Sequence, residues 1–311
     1  SIGVAIVILT DLVLLPVLVS YVKYGPGYRG RVQRRQALLA RAWAGLSGIT
    51  RRGPAAVIIA IAILLAIAGA WKGRETPIGD TQAGVPELRP DSRYNLDNKV
   101  ILEDHKAQTI ERLVAAVKAW REANPVEGLQ FRLAAGNVGV MAATNEEVKA
   151  KEFPILAGVF AAVSIMCLLT FRSLLGTILV VLPLALVSIL VYAVMAIVGI
   201  GLKVTTLPMV ALGAGIGVDY GIYLYSRMQE FLHQGLGVRE AYERTMRVTG
   251  ASIIFTGITL AIGVATWVFS PLKFQADIGV MLTFMFLVNM LGAILLLPAL
   301  GAWLIRGARR A

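Results

Sequence analysis

At 311 residues, with 57% hydrophobic and only 16% charged side chains, the chain falls well below the roughly 25% charge of a typical soluble domain. A single water-soluble core is excluded, and the chain reads as an integral membrane protein. Its net charge of +11 comes without an aromatic-interleaved basic platform, so nucleic acid is not an expected partner and anionic lipid headgroups are.

Seven stretches are apolar enough to cross about 30 Å of hydrocarbon, which takes about 17 to 25 helical residues. They lie near 2–22, 54–71, 154–171, 175–198, 205–225, 250–269 and 278–305. Continuous runs of this kind exclude barrel strands, which alternate in polarity. The expected fold class is an all-α polytopic membrane bundle of seven transmembrane helices with a small α+β extracytoplasmic domain.

Residues 1–22 form the first span, which opens on SIGVAIVILT without a methionine or charged leader, as a fragment would. A basic linker, 23–53, leads to the span 54–71. The polar segment 72–153 forms the outer domain, 154–305 hold five further spans, and 306–311 form a tail. Basic residues sort by side: eight in 23–52, Arg172, four in 226–249, and Arg306, Arg309 and Arg310 make sixteen on one side. Opposite them, 72–153 carries twelve basic and thirteen acidic residues, and the two short outer loops add only Lys203 and Lys273. The positive-inside rule then places the C-terminus in the cytoplasm and 72–153 outside.

Within the outer segment, Ile110, Leu113, Val114, Val117 and Trp120 repeat at helical spacing. LQFRLA at 129–134 alternates like a half-buried strand, and NEEVKAKEF is expected to start a helix capped by Asn145. Near the two ends of the chain, TDLVLLPVLVSYVK echoes GAILLLPALGAWLIR, with Pro16 and Pro298 at matching places, as an internal duplication would leave them.

The span 205–225 concentrates the chemistry. Gly213, Gly217 and Gly221 recur every four residues and are expected to pack closely against another helix, with Gly215 thinning the adjacent surface. Asp219 is a carboxylate inside a membrane span, which costs several kcal/mol unless a partner, a proton or water compensates. No lysine or arginine lies in any of the seven spans, so an intramembrane ion pair within this chain is ruled out. Such a group can bind and release a proton. The alternative is a hydrogen-bonded structural acid. Tyr220 points about 100° away and is better placed to serve a carboxylate on another helix. Thr256, Thr259 and Asn289 are further candidates, although threonines also bond back to their own helix. Asp11 is the other acid inside a span; it fits a second relay member or an interfacial residue equally.

An enzyme is not expected. His105 and His233 lie on opposite sides, Cys167 is alone in an apolar span, and no metal, cofactor or nucleotide motif is present.

GAGIGVDYGIYLYSR, an amphipathic segment, and then TGASIIFTGITLAIGVATWVFSPLKFQADIG together resemble the C-terminal half of the resistance-nodulation-division superfamily, closest to its hydrophobe/amphiphile exporters and mycobacterial large-membrane-protein-like branch. The similarity runs from about Arg89 to Leu304. It implies twelve spans in two repeats, so that 1–22 is the last helix of the N-terminal repeat and 72–153 a porter-like α+β domain. That domain is usually larger in the family, and a deletion or a gap near 101–102 would account for the abrupt passage from PDSRYNLDNKVI to LEDHKAQTI. The resemblance further implies a proton relay, in which Asp219 and Tyr220 match the tenth-span pair and face an equivalent pair on the fourth. It implies proton-driven export of hydrophobic or amphiphilic molecules from the bacterial inner membrane, without a cofactor. The partners implied are the N-terminal half of the same transporter, membrane lipids, further copies of the protein and periplasmic accessory proteins. A non-transporting, sterol-sensing-like sensor or scaffold shares this bundle and is the alternative.

Overall fold

The computed structural model describes residues 9–21, 30, 39–79, 88–89, 91–93, 96, 107–124 and 137–305. Among them every regular element is helical, and six helices are long and apolar enough to cross a membrane. The chain divides into two compact units, residues 1–45 and 46–311.

In the first unit a π-helical turn, Thr10–Leu14, runs into helix α1, Leu15–Ser20. The rest of the first expected span, residues 2–8 and 22, lies outside the described residues.

The second unit carries the bundle. Helix α2 spans Arg52–Gly73, α3 Ala107–Ala123, α4 Asn137–Phe171, α5 Leu174–Val198 and α6 Leu207–His233. Helix α7, Val238–Thr245, passes through a π-helical turn, Met246–Gly250, into α8, Ala251–Ala265. Helix α9, Lys273–Leu291, passes through a second such turn, Gly292–Leu296, into α10, Leu297–Leu304. The punctuation is local chemistry. Ser173 accepts the Gly176 N–H to cap α5, while Gly199 and Gly235 take the left-handed φ values of 74° and 85° that end α5 and α6.

One sequence expectation needs correction. Asn145 does not cap a helix: α4 starts at Asn137 and runs unbroken through Asn145 and Pro154, because VGVMAAT upstream is itself helix-compatible. The Asn145 side chain packs against Gly79 instead. The basic, amphipathic segment 226–249 is largely helical. Helix α6 continues to His233, with Arg227 paired to Glu230, and α7 restarts four residues after His233 at Gly237 as its N-cap. The helix expected around Ile110 is present as α3, while the strand expected at 129–134 and the junction at 101–102 fall outside the described residues.

Helices α5, α6 and α9 form the centre, where Val187, Val191, Met195, Met209, Val210, Met281, Leu282, Met285 and Phe286 bury one another. Helices α2, α4 and α8 surround them and leave most of their apolar surface uncovered within the chain. At one end of the bundle the polar segment is stitched to two inter-helix loops. The Gly79 N–H donates to the Leu202 carbonyl and the Leu202 N–H to Pro77, each at 2.7 Å. The Arg89 guanidinium donates to the carbonyls of Val268 at 2.7 Å and Ser270 at 3.0 Å.

Near the other end, a buried tyrosine repairs a proline defect. Pro298 has no N–H, so the Ile294 carbonyl four residues earlier lacks its α-helical donor. The Tyr242 hydroxyl, fully buried on α7, donates to it at 2.8 Å.

Candidate functional site

Helix α6 is 27 residues long and Asp219 sits close to its middle, about 18 Å along the axis from Leu207. Thr206 holds the helix start: its hydroxyl accepts the Lys203 N–H at 2.9 Å and donates toward the Gly201 carbonyl at 3.1 Å. Pro208 follows in the first turn, where its missing N–H leaves no gap.

The helix has two faces. Gly213, Gly217 and Gly221 are buried on one. A β-carbon at Gly213 would collide with the Met285 side chain, at Gly217 with the Asn289 amide, and at Gly221 it would lie 2.9 Å from Val180. Helices α9 and α5 therefore approach α6 as closely as backbone permits, and the unbranched methionine fills the irregular space left by a missing side chain. Asn289 is buried in this seam and donates to the Gly213 carbonyl at 3.4 Å.

Asp219 is about 200° around the helix from Gly217 and faces the other way. It is exposed, in a stripe with Leu212, Gly215, Tyr223 and Ser226 that no helix among the described residues of this unit covers. Its neighbour Tyr220 turns into the chain, where only 4% of its surface is exposed. The Tyr220 hydroxyl is fully buried and, like that of Ser188 on α5, has no hydrogen-bond partner among the described residues. A buried hydroxyl left unbonded costs roughly 1 to 3 kcal/mol, so each marks a place where a further group is expected.

Thr256 and Thr259 on α8 are exposed as well, and neither bonds back to its own helix. They belong to a longer stripe that sequence reading did not pick out: Ser252, Thr256, Thr259, Gly263 and Thr266 share one face at helical spacing, opposite the buried Ile253, Gly257 and Ala261. The three-and-four spacing of small and hydroxylated residues in TGASIIFTGITLAIGVAT was the available signal. Helix α8 packs along α9, and its leading π-helical turn packs on α6.

Six candidates are thus placed as follows. Asp219, Thr256 and Thr259 lie on faces open to whatever covers this chain, Tyr220 and Asn289 are turned inside, and Asn289 is held in the glycine seam away from Asp219. Asp11 lies on the turn that precedes α1, and its side chain is outside the described residues.

Among the described residues no group of three histidine, cysteine or acidic side chains is arranged to hold a metal. An acid also sits at the end of the bundle stitched to the polar segment: Asp277, 8% exposed, pairs with Lys273 at 2.8 Å on the first turns of α9. The sequence hides this pair because both residues read as loop.

A polytopic helical membrane protein with a carboxyl at the middle of a membrane-crossing helix is the class these features define. Residues 99–310 match the MMPL family, and the chain belongs to that family, a branch of the resistance-nodulation-division superfamily. It is 30% identical over 136 residues to a putative membrane protein of Methanocaldococcus jannaschii, covering 44% of this chain and 35% of that protein. It is 32% identical over 93 residues to the probable trehalose monomycolate exporter MmpL3 of Mycobacterium leprae, covering 30% of this chain and 10% of the relative. To the sulfolipid-1 exporter MmpL8 of Mycobacterium tuberculosis it is 34% identical over 86 residues, covering 28% and 8%. The chain thus spans about a third or less of the length of these relatives.

Proposed function

We propose that this chain is the C-terminal half of a proton-driven secondary transporter that exports hydrophobic or amphiphilic molecules, lipids or lipid-like metabolites, from the bacterial inner membrane. The observation that carries the reading is Asp219: a carboxyl at the middle of a membrane-crossing helix, on a face left open by the described residues of its unit, with no basic residue on the same stripe until the helix leaves the bilayer. A carboxylate facing lipid alone would be costly, so this face is where an N-terminal half brings polar partners.

In this reading Asp219 takes up a proton from one side of the membrane and releases it to the other. The exposed hydroxyls of Ser252, Thr256 and Thr259 on α8 line a water path that leads to it. Loss of the carboxylate's charge removes the need for a polar partner and lets the two halves shift against each other, as in rocking transporters. Helix α4 carries that shift outward, since a single helix of 35 residues runs from the outer segment through a span. Lipid-like cargo is supported by the two mycobacterial exporters among the relatives. The cytoplasmic C-terminus is supported by the arginines at the ends of the spans.

Full-length protein in liposomes, loaded with a fluorescent lipid, tests the reading. Export is expected to need a proton gradient and to vanish in Asp219→Asn. Gradient-dependent export that survives this substitution would sink the relay, and absence of export under any gradient would favour a sensor or scaffold.

A further inference from the structure

A groove of about 210 Å³ lies between α2, α5 and α10, away from Asp219 and its stripe. Its width comes from small residues, Ala62 and Ala66 on α2 and Ala185 on α5, and its walls from larger ones, among them Leu182, Leu296 and Leu300. Every residue lining it is aliphatic. Helix α2 starts at Arg52, so at 1.5 Å per residue Ala62 lies about 15 Å along the axis from that end. That is the depth of one leaflet, half of a roughly 30 Å hydrocarbon layer.

The end of α2 from which this depth is measured is positively charged and unbalanced. Arg51 and Arg52 are both exposed, and neither has an acidic partner among the described residues. Neither α5 nor α10 contains an acid at all. Trp303, 55% exposed and one turn beyond Leu300, marks the headgroup level, where tryptophan collects.

We infer that this groove is a binding site for one anionic phospholipid, with its acyl chain laid along Ala62, Ala66 and Ala185 and its phosphate held by Arg51 and Arg52. The two arginines supply the charge, and the groove's depth matches the distal part of a chain whose headgroup sits at their level. A phosphate accepts paired N–H donors from guanidinium, which a zwitterionic lipid partly satisfies by itself. The site is separate from the transport reading and stands or falls without it.

The test uses the full-length protein, purified in detergent and stripped of lipid. It is titrated with phosphatidylglycerol or with phosphatidylcholine of identical chains, and bound lipid is counted by native mass spectrometry. One lipid is expected to bind with preference for phosphatidylglycerol. Arg51→Gln with Arg52→Gln is expected to weaken phosphatidylglycerol roughly 30-fold, from two basic groups at about 1 kcal/mol each, and to leave phosphatidylcholine little changed. Filling the groove with Ala185→Phe, or from the opposite wall with Ala62→Phe, is expected to weaken both lipids alike. The inference is overturned if the arginine variant keeps its headgroup preference. It is overturned equally if either groove-filling variant that still folds binds as the wild type does, or if no lipid binds because another helix or a second copy occupies the groove.

Discussion

The two faces of α6 are built by opposite means. On the glycine face everything needed is inside the chain: Gly213, Gly217 and Gly221 are closed off by Met285, Asn289 and Val180. On the aspartate face Asp219 is exposed, and no helix among the described residues of this unit lies over it. A helix can thus be anchored rigidly through one side while the other stays open. The seam fixes where the carboxyl sits, and the open side decides what it meets.

Substitutions on each face sharpen this contrast. Asp219→Asn is the largest expected effect, lowering gradient-driven export by roughly two orders of magnitude or more while shifting the unfolding midpoint little, because the side chain is exposed. Gly217→Ala is expected to do the reverse. It forces a β-carbon into the Asn289 amide and costs about 1 to 3 kcal/mol of stability, read as a lower unfolding temperature in detergent. If Gly217→Ala were neutral, the close approach of α6 and α9 would be wrong. Tyr242→Phe leaves the Ile294 carbonyl without its donor and is expected to cost about 1 kcal/mol or somewhat more, again by thermal unfolding. Thr256→Ala and Thr259→Ala are expected to leave stability within about 0.5 kcal/mol, while slowing export a few-fold. A large stability loss there would mean that their open face is in fact packed.

Much of this was legible from composition and spacing. The apolar runs mark the spans because no soluble core can hold them, and Asp219 stands out because a carboxyl in such a run is rare. The glycine repeat announces a close helix contact. What the sequence does not carry is partnership over long separations. Nothing in Tyr242 announces Ile294, fifty-two residues away, and nothing in Asn289 says that it fills the space over Gly217 and not the neighbourhood of Asp219. Ends were misjudged for a related reason. Hydropathy falls where a helix leaves the bilayer, yet the backbone of α4 and α6 goes on, since helical geometry needs no apolar side chains.

The π-helical turns at Thr10–Leu14 and Gly292–Leu296 are each five residues long, and each is followed at once by Leu-Pro. A π turn holds one more residue than an α turn, and here each is separated by one leucine from a proline, which lacks the N–H that an α-helical turn would use. The echo between TDLVLLPVLVSYVK and GAILLLPALGAWLIR thus extends from the letters to the backbone, with the same local widening of the helix set against the same dipeptide.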